Sequence, residues 1–172
     1  HDALPISFIS VMMGTDSDRY LLASDAGYGF VGQLENMQTK NKAGKALIKL
    51  PKGGLILPPV KVIDVDSEYL VAVSNEGRLL MFSLSELPEL AKGKGNKIIG
   101  IPGVRVVERE EFVVALVVMS EEDELQVKAG RRKLTLKFAD LEHYLGERGR
   151  RGNKLPRGFQ KVDSMLVLRA EG

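Results

Sequence analysis

The chain carries an internal repeat with a period of about fifty residues, and this repeat restricts its fold more than any single motif does. Residues 20–37 read YLLASDAGYGFVGQLENM, and residues 70–87 read LVAVSNEGRLLMFSLSEL. A shift of fifty positions aligns the two segments and places Gly27 on Gly77. A further shift of fifty-four positions extends the pattern into the last third of the chain. Because such units bury their apolar surface against their neighbours, the chain is predicted to fold as one array.

Each unit contains a hairpin signal, in which two short apolar strands are joined by a turn with glycine. Residues 125–129 and 133–138 alternate between apolar and polar positions, and a glycine follows the first of them. Residues 70–73 and 79–82 flank a turn that ends at Gly77. Alternation and glycine turns of this kind predict antiparallel strand pairs with a buried face.

Five further segments complete the secondary-structure prediction. The Val-rich run 112–119 is expected to be a strand that is buried on both faces. Segments 84–90 and 141–145 are long enough for one or two helical turns. Segments 4–13 and 162–168 supply one further strand and a closing strand.

About four short strands per unit are typical of the blades of a propeller-like array. The sequence therefore predicts a single all-β domain over residues 1–172, with about three blades and approximate repeats 4–54, 60–103 and 104–168. Apolar positions on the strand faces are expected to form the core, and those expected to be buried are Leu22, Leu80, Val114, Val117, Leu134 and Leu136.

The residue inventory excludes most catalytic chemistry. The chain has no Cys and only two His, which excludes a disulfide framework, a thiolate metal site and most His-based sites. Gly27–Gly32 matches G-x-G-x-x-G, but it precedes a predicted return strand and not the helix that a dinucleotide site needs. Tyr20 begins an apolar strand, so we interpret it as a core residue and not as a nucleophile. We predict no catalytic residue, no metal site and no cofactor in this chain.

Several remaining features are interpreted as structural. Asp64–Glu68 is expected to be a polar turn, because it lacks the glycine and terminal glutamate of a calcium loop. Tyr144 and Phe159 are interpreted as core anchors, with stacking on nucleic acid as the alternative, and His143 as a surface residue. The longest apolar run, 112–119, is too short to cross a bilayer, which takes about 20 residues. No signal peptide is visible, and because the first residue is not Met we expect a fragment of a longer protein.

Charge is unevenly distributed along the chain, although the formal net charge is only +2. Lys and Arg cluster in three glycine-containing segments, residues 39–52, 91–97 and 146–161, whereas acidic residues gather elsewhere. Because the clusters occupy similar positions in successive units, they are predicted to lie along one edge of the array and to contact the phosphates of duplex DNA. The candidate DNA contacts are Lys40, Lys42, Lys45, Lys49, Lys92, Lys94, Lys97, Arg131, Arg132, Arg148, Arg150, Arg151, Lys154 and Arg157.

The predicted contacts are with the DNA backbone, and phosphate contacts carry no sequence information, so little sequence specificity is expected. Because Arg148, Arg150 and Arg151 lie in a predicted loop, all three are expected to tolerate reversal to Glu without unfolding of the domain.

Long stretches of the chain resemble a known family. The segments are LLASDAGYGFV (residues 21–31) with NKAGKA (residues 41–46), GRLLMFSLSELPELAKGKGNKI (residues 77–98) and GERGRRGNK (residues 146–154). From about Tyr20 onward the chain resembles the C-terminal domain of ParC, the A subunit of bacterial topoisomerase IV, within the gyrase A C-terminal domain family.

The resemblance implies a β-pinwheel, a propeller-like fold whose blades exchange strands with their neighbours. It implies a non-catalytic domain that binds duplex DNA on its outer rim and bends it. The catalytic tyrosine lies elsewhere on the ParC polypeptide, and the ATPase lies on a ParE-type B subunit. The intact A2B2 enzyme uses ATP and magnesium to decatenate and relax DNA in chromosome segregation. A cytoplasmic, nucleoid-associated location follows, with peripheral association with the inner membrane as an option.

One departure separates the chain from gyrase. The gyrase A polypeptide carries a Gln-Arg-Arg-Gly-Gly-Arg/Lys-Gly box for chiral wrapping, and the nearest segment here, residues 148–152, reads RGRRG. The missing box favours topoisomerase IV. A gyrase A domain and a propeller-like protein-interaction module remain the alternatives, and a salt titration of duplex binding separates the DNA-binding and protein-binding hypotheses.

Overall fold

The structure is a computed structural model that describes residues 18–33 and 47–170. The predicted strand 4–13 and the candidate contacts Lys40, Lys42 and Lys45 lie outside the described residues. In chain order, the strands are β1 (Arg19–Ala23), β2 (Tyr28–Gln33), β3 (Val60–Val62), β4 (Tyr69–Ser74), β5 (Arg78–Ser83), β6 (Asn96–Lys97), β7 (Val113–Met119), β8 (Glu124–Ala129), β9 (Arg132–Lys137), β10 (Asn153–Lys154) and β11 (Ser164–Leu168).

Three antiparallel sheets, here called blades 1 to 3, have the strand orders β3-β1-β2-β6, β10-β5-β4-β7 and β11-β8-β9. Each blade is built on one hairpin: β1–β2, β4–β5 or β8–β9. The first hairpin strand pairs with a strand from later in the chain, which is β3, β7 or β11. In blades 1 and 2 the second hairpin strand also pairs with a two-residue strand, β6 or β10. The all-β prediction is confirmed.

Strands are exchanged between sequence repeats. The predicted repeat 60–103 contributes the hairpin of blade 2, but its β3 and β6 belong to blade 1. The predicted repeat 104–168 contributes the hairpin of blade 3, but its β7 and β10 belong to blade 2. A blade is therefore not a continuous stretch of sequence.

The hairpin turns of blades 1 and 2 have the same construction. The amide of Gly27 donates to the carbonyl of Ser24, and the amide of Gly77 donates to that of Ser74, at 3.1 and 3.0 Å. Both glycines have positive φ, 92° and 77°, a region that L side chains rarely adopt. A Cβ on Gly27 would also collide with the carbonyl oxygen of Ile99. Gly27 of the G-x-G-x-x-G match therefore serves a hairpin turn, as predicted, and the other two glycines of the match lie within β2.

Blade 2 lies between two hydrophobic cores. Leu70 and Ala72 of β4 belong to the cluster that joins blade 2 to blade 1, whereas the alternate residues Val71 and Val73 belong to the cluster shared with blade 3. All four are fully buried. Because successive side chains of a strand point to opposite faces, a sheet covered on both sides produces a continuous apolar run such as that of β4.

The predicted core list is half right. The buried residues are Leu22, Leu80 and Leu136, and the half-buried residues are Val114, Val117 and Leu134. Burial of residues 112–119 on both faces was a wrong prediction, because β7 is an edge strand of blade 2 and only part of each face is covered. Leu134 lies on β9, the edge strand of blade 3 in the described part of the chain.

Short helical segments lie between the strands. Leu84–Glu86 and Glu142–Tyr144 form 3₁₀ turns within the two segments that were predicted to be helical. Phe138–Leu141 forms a short α-helix that begins at the last residue of the predicted strand 133–138 and was not predicted. The helix Gly103–Val107 was not predicted. Its VRVV core is β-branched and favours strands, but the carbonyl of Pro102 accepts the amides of residues 105 and 106 and starts the turn. We call Gly103–Val107 α1 and Phe138–Leu141 α2.

The aromatic residues in question belong to the core. Tyr20, Tyr144 and Phe159 are each less than 10% exposed, which confirms the interpretation of the latter two as anchors. Burial raises the pKa of the Tyr144 hydroxyl above its ordinary value. His143 is exposed, as predicted.

Buried carboxylates close the loops before the hairpins. In the polar turn Asp64–Glu68, Glu68 accepts the amides of Ile63 and Asp64 at 2.8 Å each. Asp123 has the same function in blade 3, where it accepts the amide of Ser120 at 3.0 Å and that of Ala170 at 2.9 Å. The interpretation of Asp64–Glu68 as a polar turn is confirmed.

The pKa of Asp123 reflects these contacts. Burial alone would raise the pKa, but hydrogen bonds from the Ser120 and Ala170 amides, the Ser120 hydroxyl and the Arg169 guanidinium together lower it below its ordinary value. The carboxylate form therefore stabilises the folded chain.

We expect Leu80→Ala to lower the free energy of unfolding by about 2–5 kcal/mol, because Leu80 is 2% exposed within the core between blades 1 and 2. The matched variant Val114→Ala, on the half-exposed edge strand β7, should cost less than about 1 kcal/mol. Urea denaturation followed by circular dichroism measures both. Equal losses in the two variants would contradict the described register.

We expect Asp123→Asn to cost about 1–3 kcal/mol at pH 7, because hydrogen bonds to a charged acceptor are lost. The folded pKa of Asp123 lies below the unfolded value near 3.8. The wild-type advantage is therefore complete above about pH 4 and is lost as the pH falls through the folded pKa. Urea titrations between acidic and neutral pH give the free energy of unfolding of the wild type and of Asp123→Asn, and the two values should converge only at the acid end. A difference that does not vary with pH would contradict the assignment.

Candidate nucleic-acid interface

Three basic loops lie side by side. We call residues 47–52 basic loop 1, residues 91–97 basic loop 2 and residues 146–154 basic loop 3. Loops 1 and 2 form a parallel bridge, in which the amide of Lys49 donates to the carbonyl of Gly93 at 2.9 Å. The amide of Gly93 donates in turn to the carbonyl of Leu47 at 2.8 Å.

Loops 2 and 3 also meet through their backbones. The amide of Gly149 donates to the carbonyl of Ile98, and the amide of Gly100 donates to that of Arg150, each at 2.8 Å. The Arg148 guanidinium donates to the carbonyl of Lys97 at 2.8 Å. The loops thus follow one another in chain order, in agreement with the predicted arrangement. Their cations other than Arg151, here called the basic rim, are Lys49, Lys52, Lys92, Lys94, Lys97, Arg148, Arg150 and Lys154.

Loops 2 and 3 end in equivalent strands. The two-residue strands β6 and β10 are both Asn-Lys, and each pairs with the start of the second hairpin strand of the preceding blade. Lys97 stands opposite Tyr28 in blade 1, and Lys154 stands opposite Arg78 in blade 2. The sheets therefore fix where these lysines project.

A cavity of about 670 Å³ opens at the junction of blades 1 and 2. Lys52, Lys94, Lys97 and Arg150 contribute to its wall, together with apolar side chains of α1 and of the segment that precedes it. None of its lining residues is acidic. The Tyr28 ring lies in the wall, with the Nζ atoms of Lys94 and Lys97 at 4.8 and 6.0 Å from its centre. We call this space the junction cavity.

The corresponding position in blade 2 has different chemistry. A smaller cavity of about 310 Å³ is lined by Arg78 and Lys154, but also by Glu76. Arg105, in the same wall, forms an ion pair with Glu76. The Arg78 guanidinium donates to the carbonyl of Gly152 at 3.2 Å. Part of the positive charge is therefore compensated within the protein.

Arg151 performs a structural function. Its guanidinium donates to both oxygens of Glu111, at 2.8 and 3.1 Å, and to the carbonyl of Gly100 at 2.6 Å. Glu111 is 0% exposed, so this pair neutralises a buried carboxylate. The prediction that Arg148, Arg150 and Arg151 can all be reversed without unfolding is wrong for Arg151.

A second structural pair connects the blade 1 turn to the segment before β7. The Arg109 guanidinium donates to Asp25 at 2.7 Å, and the same carboxylate accepts the amide of Leu55 at 2.7 Å. In blade 2 the equivalent residue Asn75 accepts the amide of Phe112 at 2.9 Å. These groups hold neighbouring units together and are not available to a ligand.

The remaining predicted contacts form a separate group at blade 3. Arg131 and Arg132 lie at the exposed hairpin tip between β8 and β9. The Arg132 guanidinium packs against Gly158, where a Cβ would come within 3.0 Å of its Nη1, and Arg157 is adjacent in sequence and exposed. A DNA-binding role for these three residues stays a prediction.

Two residues of the junction cavity were absent from the predicted contacts. Lys52 belongs to the first basic cluster, residues 39–52, and it would have been predicted if every lysine of that cluster had been counted as a candidate contact. Tyr28 was assigned only to the glycine motif, because its pairing with Lys97 depends on a strand contributed by the next repeat. The described residues contain no group of three or more His, Cys, Asp or Glu side chains that could hold a metal ion.

Comparisons with known proteins agree with this architecture. A family model, "DNA gyrase C-terminal domain, beta-propeller", matches residues 68–119. The ParC-type polypeptide of DNA topoisomerase 4 from Pseudomonas aeruginosa is 58% identical over 161 residues, which is 94% of this chain and 21% of that protein. The Escherichia coli K12 protein of the same name is 45% identical over 157 residues, which is 91% of this chain and 21% of that protein.

Solved structures give the same result. The structure of the E. coli ParC C-terminal domain matches with a TM-score of 0.83 and 43% identity, over 91% of this chain and 62% of that one. A DNA gyrase A C-terminal domain matches with a TM-score of 0.68 at 17% identity, over 90% of this chain and 50% of that one, and so shows a similarity of fold.

Fold and sequence together define the class: the chain has the β-pinwheel architecture and is similar to gyrase A-type C-terminal domains, whose family model matches residues 68–119. More specifically, it is similar to the C-terminal domain of ParC from DNA topoisomerase 4. The chain spans about a fifth of the length of these curated relatives, 21% in both cases. Over the described residues, no helix is both long and apolar enough to cross a membrane.

We expect Arg151→Glu to lower the free energy of unfolding by about 3–5 kcal/mol, because it leaves buried Glu111 without its main partner and beside a second carboxylate. The neighbouring variant Arg150→Glu should cost less than about 1 kcal/mol, since its ion pair with Glu147 is exposed. Urea denaturation of both variants gives the comparison. Equal stability of the two would contradict a structural role for Arg151.

Proposed function

We propose that this chain is the DNA-binding and DNA-bending domain of a ParC polypeptide of topoisomerase IV, and that it contacts the phosphate backbone of a duplex through the basic rim. The observation that carries the proposal is the continuity of the rim, in which three basic loops from successive units are hydrogen-bonded to one another. A contiguous row of cations matches the regular negative charge of a DNA backbone.

The rim lysines of loops 1 and 2 are suited to phosphate binding because, within the described part of the chain, no carboxylate neutralises them. Among the described residues, none of the five rim lysines from loops 1 and 2 has a carboxylate within ion-pair distance; these are Lys49, Lys52, Lys92, Lys94 and Lys97. Binding to phosphates releases condensed counterions without first breaking a protein ion pair.

Bending follows from the number of contacts. Bending a short duplex costs on the order of 1–6 kcal/mol, which no single exposed lysine offsets. Cations on successive blades act together, and a duplex that follows them takes the curvature of the array. Lysines on loops reach phosphates and not base edges, so binding is expected to be independent of sequence.

In the intact enzyme, the domain would hold a duplex near the remainder of ParC and near a ParE-type B subunit, in an A2B2 assembly that decatenates and relaxes DNA in chromosome segregation. ATP, magnesium and the catalytic tyrosine are assigned to those other parts. The chain alone is expected to have no topoisomerase, nuclease or ATPase activity. A cytoplasmic, nucleoid-associated location is part of the same proposal.

A salt titration tests the proposal. The logarithm of duplex affinity should fall linearly with the logarithm of salt concentration, with a slope of about −0.9 for each phosphate contacted. The double variant Lys92→Gln/Lys94→Gln should reduce that slope by about 2, equally for unrelated duplex sequences. Fluorescence anisotropy with short labelled duplexes gives the slopes.

The control is Lys61→Gln/Lys128→Gln, which removes the same charge from β3 and β8, away from the rim. This control should leave the slope of the wild type almost unchanged. If the rim variant and the control variant reduce the salt slope by the same amount, binding depends on net charge alone and the rim is not the contact surface. If the wild type shows no salt-dependent duplex binding, the DNA-binding proposal fails and the protein-interaction module takes its place.

A further inference from the structure

We propose that the junction cavity is the main site at which the basic rim binds the DNA sugar-phosphate backbone. In this proposal Tyr28 is a positioning residue that holds Lys94 and Lys97 at the mouth of the cavity. The inference rests on the proposed DNA-binding function, and it identifies which of the basic loops dominates. It also gives a function to an aromatic residue that the fold does not fully bury.

The cavity offers two kinds of surface that a deoxyribose-phosphate chain needs together. The wall carries Lys52, Lys94, Lys97 and Arg150 and includes no acidic residue. Its floor is formed largely by apolar side chains next to and within α1, such as Ile101. Phosphate oxygens match the cations, and the C–H surface of deoxyribose matches the apolar floor. A strongly acidic peptide would match the cations but leave the floor uncovered.

Tyr28 contacts both lysines through its ring, and its backbone pairs with that of Lys97. Its ring attracts the ammonium groups of Lys94 and Lys97, whose Nζ atoms lie 4.8 and 6.0 Å from the ring centre. The ring itself is held by β2, where Tyr28 pairs with Lys97 across the sheet. Lysines that are already ordered lose less side-chain entropy when they bind a phosphate.

Gly149 lies beside the stem of Lys97. Its positive φ of 88° suits glycine, and a Cβ placed there would lie at ordinary contact distance, 3.5 Å, from Cδ of Lys97. Loop 3 therefore packs against the Lys97 side chain. Loop 3 closes one side of the cavity without adding a carboxylate.

The equivalent place in blade 2 lacks these features. Arg78 stands where Tyr28 stands in blade 1, and its guanidinium is hydrogen-bonded to Gly152. The cavity wall there includes Glu76, which has no equivalent in the junction cavity and forms an ion pair with Arg105, so one cation of that wall is already neutralised. Lys97 and Lys154 therefore occupy matching register positions in different surroundings, which makes them a matched pair for an experiment.

The first experiment compares Lys97→Gln with Lys154→Gln in the 172-residue chain, using a short fluorescent duplex and anisotropy across a salt series. Lys97→Gln should weaken duplex binding about three- to tenfold at about 0.1 M salt and reduce the slope by about 0.9. Lys154→Gln removes a rim lysine outside the junction cavity and should weaken binding by a smaller factor than Lys97→Gln does. Equal effects, or a larger effect of Lys154→Gln, would overturn the inference.

The second experiment tests Tyr28 as a positioning residue. Tyr28→Phe keeps the ring face and should bind as the wild type does, whereas Tyr28→Leu should weaken binding and reduce the salt slope although no charge is removed. If the role of Tyr28 is purely structural, Tyr28→Leu should lower the thermal midpoint of unfolding, but the folded molecules should bind duplex with an unchanged salt slope. Equal binding by the Leu and Phe variants, at equal folded fraction, would overturn the role.

The outcomes separate this inference from the proposed function. If the wild type binds duplex with a steep salt slope but Lys97→Gln binds equally well, the rim hypothesis stands, and the junction cavity is rejected as the main binding site. If the wild type does not bind duplex at all, the proposed function fails. If Lys97→Gln loses binding to a labelled oligoglutamate peptide but retains duplex binding, the cavity is an acidic-peptide site and the inference is overturned.

Discussion

The exchange of strands between successive units is the constraint on which the rest of the structure depends. Basic loops 2 and 3 end in strands that pair with the hairpin of the preceding unit, and basic loop 1 bridges to loop 2, so the positions of all three are set by backbone hydrogen bonds. In blades 1 and 2 the same two-residue Asn-Lys strands close the sheet and present a lysine. Stability and the placement of positive charge are therefore produced by the same contacts.

Acidic residues make this surface possible by their location. The chain is almost neutral overall, with a net charge of +2, yet its buried carboxylates are used inside the array. Asp25 and Glu111 pair with arginines between units, and Glu68 and Asp123 accept backbone amides in turns. The rim lysines of loops 1 and 2 lack such partners among the described residues. These four carboxylates therefore serve the fold and do not neutralise the lysines of the loops.

Periodicity and turn chemistry predicted what depends on local sequence. The hairpins around Gly77 and Gly130, and the short turns after β5 and β9, follow from patterns within a few residues. What depends on partners distant in sequence was missed. The burial expected for Val114 ignores its edge strand, the freedom expected for Arg151 ignores Glu111, and the importance of Tyr28 depends on a lysine from the next unit. Helix α1 was missed because Val-rich pentapeptides resemble strands unless Pro102 starts a turn.

The same exchange limits how such a domain can change its length. A chain cut between residues 103 and 104 removes the third predicted repeat, and it also strips β7 and β10 from blade 2. Both edges of the β4–β5 hairpin would then be left with unpaired amides and carbonyls, which promote aggregation. A blade can be gained or lost without such damage only when the flanking strands are replaced in register. Blade number should therefore change by whole exchanged units and not by simple truncation.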